Sequence, residues 1–330
     1  MNIYTWLRAI QQWLVRFIQL QLFLSLVSLP ILLLWGLPFS LLSPLGNLLF
    51  GPVITLFLLL SSLLFFSQLC MIPNGFLVTC LEKLTAGWLA IMYADNSTWL
   101  VGFVKPPLIL LFILLLVTFA VLHYGYTRSH YLTIVLLCGV FISAGAYLKI
   151  VAAPTLNLFT IPCNKGSLTV LHDNKQLIVI DPGYMGQRTN AASWVQYTLM
   201  PELIRLTGST TIDHLIILQP GAMLFGALER LCTVMGIKNV YLSVWHGDMS
   251  KAGLYRFFSC KRTLEAKGVK LIRLAQQPLT LPLSGHTSCT LTPLPTMVKT
   301  ASITFYAHMV TAQIDKQKIT LYPAKYVSEQ

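Results

Sequence analysis

The sequence predicts an α-helical membrane bundle followed by an α/β domain. Three observations carry that prediction: long apolar runs fill the first 150 residues, Glu82 and Asp95 are the only acids there, and beyond Pro154 short β-prone runs alternate with helical spacing at an ordinary charge density. Overall 55% of the chain is hydrophobic and 10% is charged, against roughly 25% charged in soluble domains, which excludes a chain that is soluble throughout. A length of 330 residues suits two domains, with the expected boundary between residues 152 and 153.

Residues 5–18 carry Trp6, Leu7, Ile10, Trp13, Leu14 and Phe17 at helical spacing, with Arg8 and Arg16 off that stripe, which suits a helix lying along the membrane interface. Residues 17–35 and 48–66 are almost wholly apolar and approach the roughly 20 residues a spanning helix needs. The apolar region is too long for a cleavable signal, so an anchor that stays attached is expected. Between the two spans, residues 36–47 are rich in helix breakers yet uncharged. Such a segment is either a short exposed turn or is packed against protein or a wet cavity, because bare lipid leaves its backbone groups unpaired. Residues 72–92, with Glu82 and Lys83, suit an interfacial helix, and residues 106–122 and 131–150 are two further spans. About four crossings would put Arg8, Arg16, Lys83 and Lys105 on one side and Arg128 alone on the other, making the first side cytoplasmic. If residues 72–92 also cross, the carboxyl-terminal domain moves to the opposite face.

In the second half, residues 156–161, 167–171 and 176–180 read as a strand meander. A helix over 191–206, a strand over 212–218, a helix over 223–235 and a strand over 240–244 then alternate in the α/β manner. The stretch 251–270 reads as a basic helix whose Arg256, Lys261, Arg262 and Lys267 suit either nucleic-acid phosphates or a plain solvated face. Strands over 288–291, 302–309 and 318–322 complete the domain. The net charge of +12 is spread over both halves, as anionic lipid, polyanions or a positive-inside bias would each favour. Seven cysteines without a CxxC pair read as small buried hydrophobes, and no phosphate-cradling glycine loop, G-x-S-x-G or H-E-x-x-H motif occurs.

The order Gly166-Ser167-Leu168-Thr169-Val170, Leu177-Ile178-Val179-Ile180-Asp181-Pro182-Gly183, then Ile212-Asp213-His214-Leu215-Ile216-Ile217-Leu218 resembles the opening of the metallo-β-lactamase fold in ComEC-type competence proteins. Residues 33–52, LLWGLPFSLLSPLGNLLFGP, are similar to the ComEC competence domain where a proline-containing helix meets a Ser-x-x-x-Asn turn. The resemblance implies an αββα metallo-β-lactamase-like domain and an amino-terminally truncated relative, since the family's OB-like domain and further helices have no counterpart here. Where the family carries His-x-Asp-x-Asp-His, this sequence reads Gln219-Pro220-Gly221-Ala222-Met223-Leu224. Asp181 persists, but Gln219, Gly221, Met223 and Leu224 stand at the motif's polar positions, so no metal cofactor and no hydrolysis are expected. A substitute metal site from His214, His246 and Asp248, sustaining phosphodiesterase activity, is the less favoured reading, and Ser284 to Ser288 is taken as a polar loop rather than a nucleophile site. The function implied is a multi-pass inner-membrane component of single-stranded DNA uptake. Ser40, Ser43 and Asn47 would line a polar path in lipid, and an oligomer or a second membrane subunit would complete the channel. The alternative is a membrane-tethered pseudoenzyme that scaffolds other proteins without transporting DNA.

Overall fold

The computed structural model describes residues 3–40, 43–92, 99–126, 128–151, 157–163, 166–173, 176–187, 190–243, 245–246, 250–274, 278–282, 288–299, 304–314 and 317–322. The chain divides into two compact units, one of residues 1–31, 39–101 and 107–145, the other of residues 32–38, 102–106 and 146–330.

The first seven elements are α1 Ile3–Trp35, β1 Phe39–Ser40, α2 Ser43–Leu69, α3 Gly75–Met92, β2 Leu100–Val101, α4 Leu108–Tyr126 and α5 His130–Val151. Among the described residues four helices are long and apolar enough to cross a membrane, over Trp6–Trp35, Gly46–Leu69, Leu108–Gly125 and His130–Ile150. α3 is not one of them. α1 runs unbroken through the expected change from interfacial to spanning helix near Phe17, because no glycine or proline interrupts it before Pro30.

The path of the first unit differs from the expected one. β1 pairs with β2, Phe39 opposite Val101 and Ser40 opposite Leu100, so the chain leaves on α2 and returns on α3 to the same place. α2 and α3 are the two arms of this hairpin, with the Phe50 and Trp88 rings 5.7 Å apart. Gln19 of α1 bonds His130 at the start of α5, at 2.9 Å, while the ring of Phe39, just past α1, lies tilted against that of Phe141 farther along α5, with centroids 5.3 Å apart. α1 and α5 therefore run the same way. The α4–α5 turn carrying Arg128 stands at the end where Arg8 and Arg16 lie, not opposite them. The hairpin return through α3, which apolar-run length alone does not reveal, is the physical reason.

The second unit takes in α5's last residues, then β3 Asn157–Cys163, β4 Gly166–Asp173, β5 Gln176–Asp181, α6 Ala191–Trp194, α7 Met200–Thr207, β6 Thr211–Ile217, α8 Ala222–Val234, β7 Gly236–Ser243, β8 Trp245–His246, α9 Lys251–Ala266, β9 Lys270–Leu274, β10 Leu279–Pro282, β11 Ser288–Lys299, β12 Thr304–Ile314 and β13 Gln317–Leu321. One sheet has the order β3-β4-β5-β6-β7-β9, antiparallel from β3 to β5 and parallel from β5 to β9. The other has the order β10-β11-β12-β13, with β8 also on β12. Central strands are apolar at successive positions because both faces are covered. Leu177, Val179, Leu215 and Ile217 enter the core shared with α6 to α9, whereas Ile178, Ile180, Ile216 and Leu218 meet Cys289, Leu291 and Val310 of the second sheet. Ser243 and His308 share a buried 3.2 Å hydrogen bond across that second interface.

Two local departures have physical causes. The helix expected over 191–206 is split by a π turn, Val195–Leu199, since Pro201 has no N–H to continue the ladder. The basic helix ends at Ala266 rather than 270, because Gly268 takes a left-handed φ of +70° and releases the chain into β9. In this unit residues 32–38 and 102–106 are packed tightly. A Cβ on Gly36, whose φ is +68°, would stand 2.2 Å from the Pro201 carbonyl oxygen, and the Lys105 N–H donates to the Arg205 carbonyl at 3.1 Å. The uncharged segment after α1 is thus packed against protein where it leaves the helix.

Candidate functional site

β5 delivers Asp181 to a buried turn. Its Oδ1 accepts the N–H groups of Gly183 and Tyr184 at 2.8 Å each and of Met185 at 3.3 Å, while Oδ2 is buried without a hydrogen-bond partner. Burial pushes the carboxyl pKa up, against the pull of those three donors. Gly183 adopts φ +119°, and a Cβ there would meet the Gln219 Cβ at 2.6 Å, so Gln219 lies directly over the turn. Leu224, 1% exposed, is part of the helix–sheet core beside Gly186. Gly221 is extended backbone ahead of α8, and Met223, 49% exposed, accepts a contact from Arg256 Nη1 at 3.0 Å.

Asp181, Gln219 and Leu224 thus come together, and Gly221 and Met223 stand apart. This set does not fit a catalytic metal: a leucine fills the space, one carboxylate oxygen is taken by backbone donors, and the remaining oxygen is enclosed. Among the described residues no three His, Cys, Asp or Glu side chains are grouped to hold a metal ion. His214 lies on β6 with Nδ1 3.1 Å from the Tyr241 hydroxyl, and burial lowers its pKa while raising that of Tyr241. Its neighbour Asp213 accepts the Leu177 N–H at 2.8 Å and pairs with Lys238 at 2.7 Å. His246 lies on β8; Asp248 and residues 284–287 fall outside the described residues.

Of the four basic residues read as DNA contacts, Arg256, Lys261 and Arg262 lie on α9 and Lys267 is its C-cap, and they do not share one face. α9 is capped by Ser250, whose Oγ accepts the Gly253 N–H at 3.2 Å, and is anchored by Gly253, Phe257, Cys260 and Leu264 in the core. Burial raises the Cys260 thiol pKa to about 12, leaving it neutral and inert. The opposite face presents Lys251, Tyr255, Phe258 and Arg262 within an arc of about 60° at 3.6 residues per turn. Tyr255 is 76% exposed and Phe258 54%. Arg262 belongs to this face, whereas Arg256 and Lys267 lie on one flank and Lys261 on the other, paired with Glu265 at 3.6 Å. The two aromatics escape a charge-based reading. Their signal was the pair Phe257-Phe258, since adjacent helical positions cannot both face inward.

In the membrane unit Ser40 is half-buried in β1 and Ser43 is exposed at the start of α2. Asn47 donates to Gln21 Oε1 at 2.8 Å. Gln19, Gln21 and Ser25 are each only 8% exposed within α1, Gln21 and Ser25 on one face and Gln19 on another, buried polar groups that the hydropathy of the run conceals.

No protein-family model matches this chain, and no curated protein matches it.

Proposed function

We propose that the protein is a divergent ComEC-like inner-membrane component of single-stranded DNA uptake, carrying an inactive metallo-β-lactamase-like domain that holds the strand on α9. The observation that carries this reading is the exposed aromatic pair Tyr255 and Phe258 bracketed along one helix face by the cations Lys251 and Arg262. Bases stack on aromatic rings without regard to sequence, while cations track the phosphates, which is the chemistry of single-strand binding. The end of the first unit with Arg8, Arg16 and Arg128 would be cytoplasmic by the positive-inside rule. Chain continuity then carries the residues after α5 to the outer side, where incoming DNA arrives. Gln21 and Asn47 join Ser40 and Ser43 as candidates for the polar path. The apolar window of α2 has no buried residue, leaving surface for lipid, a second copy or a second subunit.

The test is entry of fluorescent DNA into the cytoplasm of cells with and without this protein. Loss of entry on deletion is expected; unchanged entry overturns the transport reading. A second reading, a membrane-tethered scaffold without DNA, draws on Met223 and Leu254, which add exposed apolar area beside α9. Copurification of a stoichiometric protein partner, with no salt-dependent oligonucleotide binding, would favour it.

A further inference from the structure

The amino-terminal half of α1 and the start of α5 border an open cavity of about 510 Å³ whose lining includes Arg8, Gln12, Arg16, Ser129, His130 and Tyr131. Arg8, Gln12 and Arg16 follow one another at intervals of four, so they share a helix face. The two walls are tied by Gln11 Nε2 donating to the Tyr131 hydroxyl at 3.1 Å and by the 2.9 Å contact of Gln19 with His130. No carboxylate lines the cavity, Glu82 on α3 is the only acid among the described residues of this unit, and neither arginine forms an ion pair among the described residues. The first backbone N–H groups of α5, a 22-residue helix, have no intrahelical acceptors and add a positive dipole end to the same wall.

We propose that this cavity is a phosphate site at the membrane interface, taking the headgroup phosphate of an anionic lipid. Guanidinium groups bind phosphate oxygens in pairs, and two of them without competing carboxylates make a site for one anion. The surroundings select lipid as the source. Trp6, Trp13 and Leu14 are 58%, 56% and 38% exposed on the same turns of α1, Tyr131 is 57% exposed, and α5's apolar span begins at His130. Acyl chains would lie along that apolar surface while the phosphate sits in the basic recess, the arrangement by which pockets between transmembrane helices hold anionic headgroups. The inference depends on α1 and α5 spanning the bilayer and not on the DNA reading.

The experiment uses the full chain in phosphatidylcholine vesicles, with and without phosphatidylglycerol, read by thermal unfolding and by native mass spectrometry of retained lipid. The wild type is expected to retain phosphatidylglycerol and to unfold at higher temperature in its presence. The double variant R8Q/R16Q is expected to bind it roughly tenfold more weakly or worse, while K270Q, a charge removed at the exposed start of β9, behaves as wild type. Should R8Q/R16Q fail to fold, R8K/R16K carries the test, with charge kept, paired geometry lost and retention reduced. Undiminished retention in the arginine variant that folds overturns the proposal. So does equal stabilisation by inorganic phosphate in phosphatidylcholine vesicles, which would assign the site to free phosphate. Displacement of the lipid by an oligonucleotide would assign it to nucleic acid instead.

Discussion

The turn after β5 and the outward face of α9 belong to the same α/β unit, yet one is closed and the other open. At the turn, Asp181 is wrapped by backbone donors, Gln219 covers Gly183, and Leu224 belongs to the core. On α9, two aromatic rings and two cations project into solvent although apolar area there gains nothing from burial. The contrast teaches that a buried carboxylate at a strand end can be closed over by packing while the ligand-accessible chemistry of the same unit lies elsewhere. At the turn the space beside Gly183 and Gly186 is taken by Gln219 and Leu224, whereas on α9 the rings and cations are free to meet a ligand.

That contrast breaks most visibly if Leu224 is not core. Leu224→Ala is expected to cost about 2–5 kcal/mol, as for other buried leucines, whereas Met223→Ala next to it should stay within about 1 kcal/mol. Chemical unfolding of the full chain in detergent measures both. Equal and small effects would mean that Leu224 borders open space rather than core.

The open side is sharpened by removing both rings. Tyr255→Ala with Phe258→Ala should weaken binding of a single-stranded oligonucleotide by about 1–3 kcal/mol per stacked base, with little change in stability because both side chains are exposed. Fluorescence anisotropy of the reconstituted chain reads the affinity. Unchanged affinity would remove α9 from the DNA path and leave the scaffold reading in its place.

How much of this was legible beforehand differs between the units for a physical reason. In the α/β unit, alternation of short apolar runs with turn residues locates the β3 to β5 meander and the β6, α8, β7 alternation, because strand and helix periods are local signals. β9 and β10 escape because β9 opens right after Gly268, within a stretch whose charges look helical. In the membrane unit, hydropathy finds the helices but not their path. The β1–β2 pair that returns the α2–α3 hairpin consists of two residues on each side, and the Gln21–Asn47 and Gln19–His130 bonds link positions 26 and 111 residues apart. Nothing local announces such contacts. The same holds after β6: that Gln219 and Leu224 are poor metal ligands can be read from the sequence, but not that Leu224 packs into the helix–sheet core.

A subtler mark of the closed site is its response to pH. With the Asp181 carboxyl held above its ordinary value, its contribution to stability is fully present below the unfolded carboxylate value, about 4, and is lost as pH rises through the raised folded value. His172 and His214, held below the ordinary histidine value chiefly by burial, act in the opposite sense: their contributions are present above about 6.5 and are lost as pH falls through the lowered values. The useful quantity is therefore the difference between wild type and Asp181→Asn, which keeps the acceptor for the three N–H groups and removes the titration. The variant should lack the decline that the wild type shows as pH rises from the acid side, and at neutral pH it should be at least as stable. An unchanged difference at every pH would mean that Oδ2 finds a partner and the site is less closed than its packing implies.

The smallest effect distinguishes the α9 face from its flanks. Each phosphate contact on a single strand contributes about −0.7 to the slope of log affinity against log salt. Arg262→Gln, on the aromatic face and without an acid partner among the described residues, should reduce the magnitude of that slope by roughly this amount. Lys261→Gln should change it less, because Lys261 already pairs with Glu265, and losing one member of an exposed pair has small consequences. Equal changes from the two variants would show the strand reaching beyond the rings to the flank. No change from either, with the aromatic pair still required, would leave stacking on Tyr255 and Phe258 as the whole of what α9 contributes.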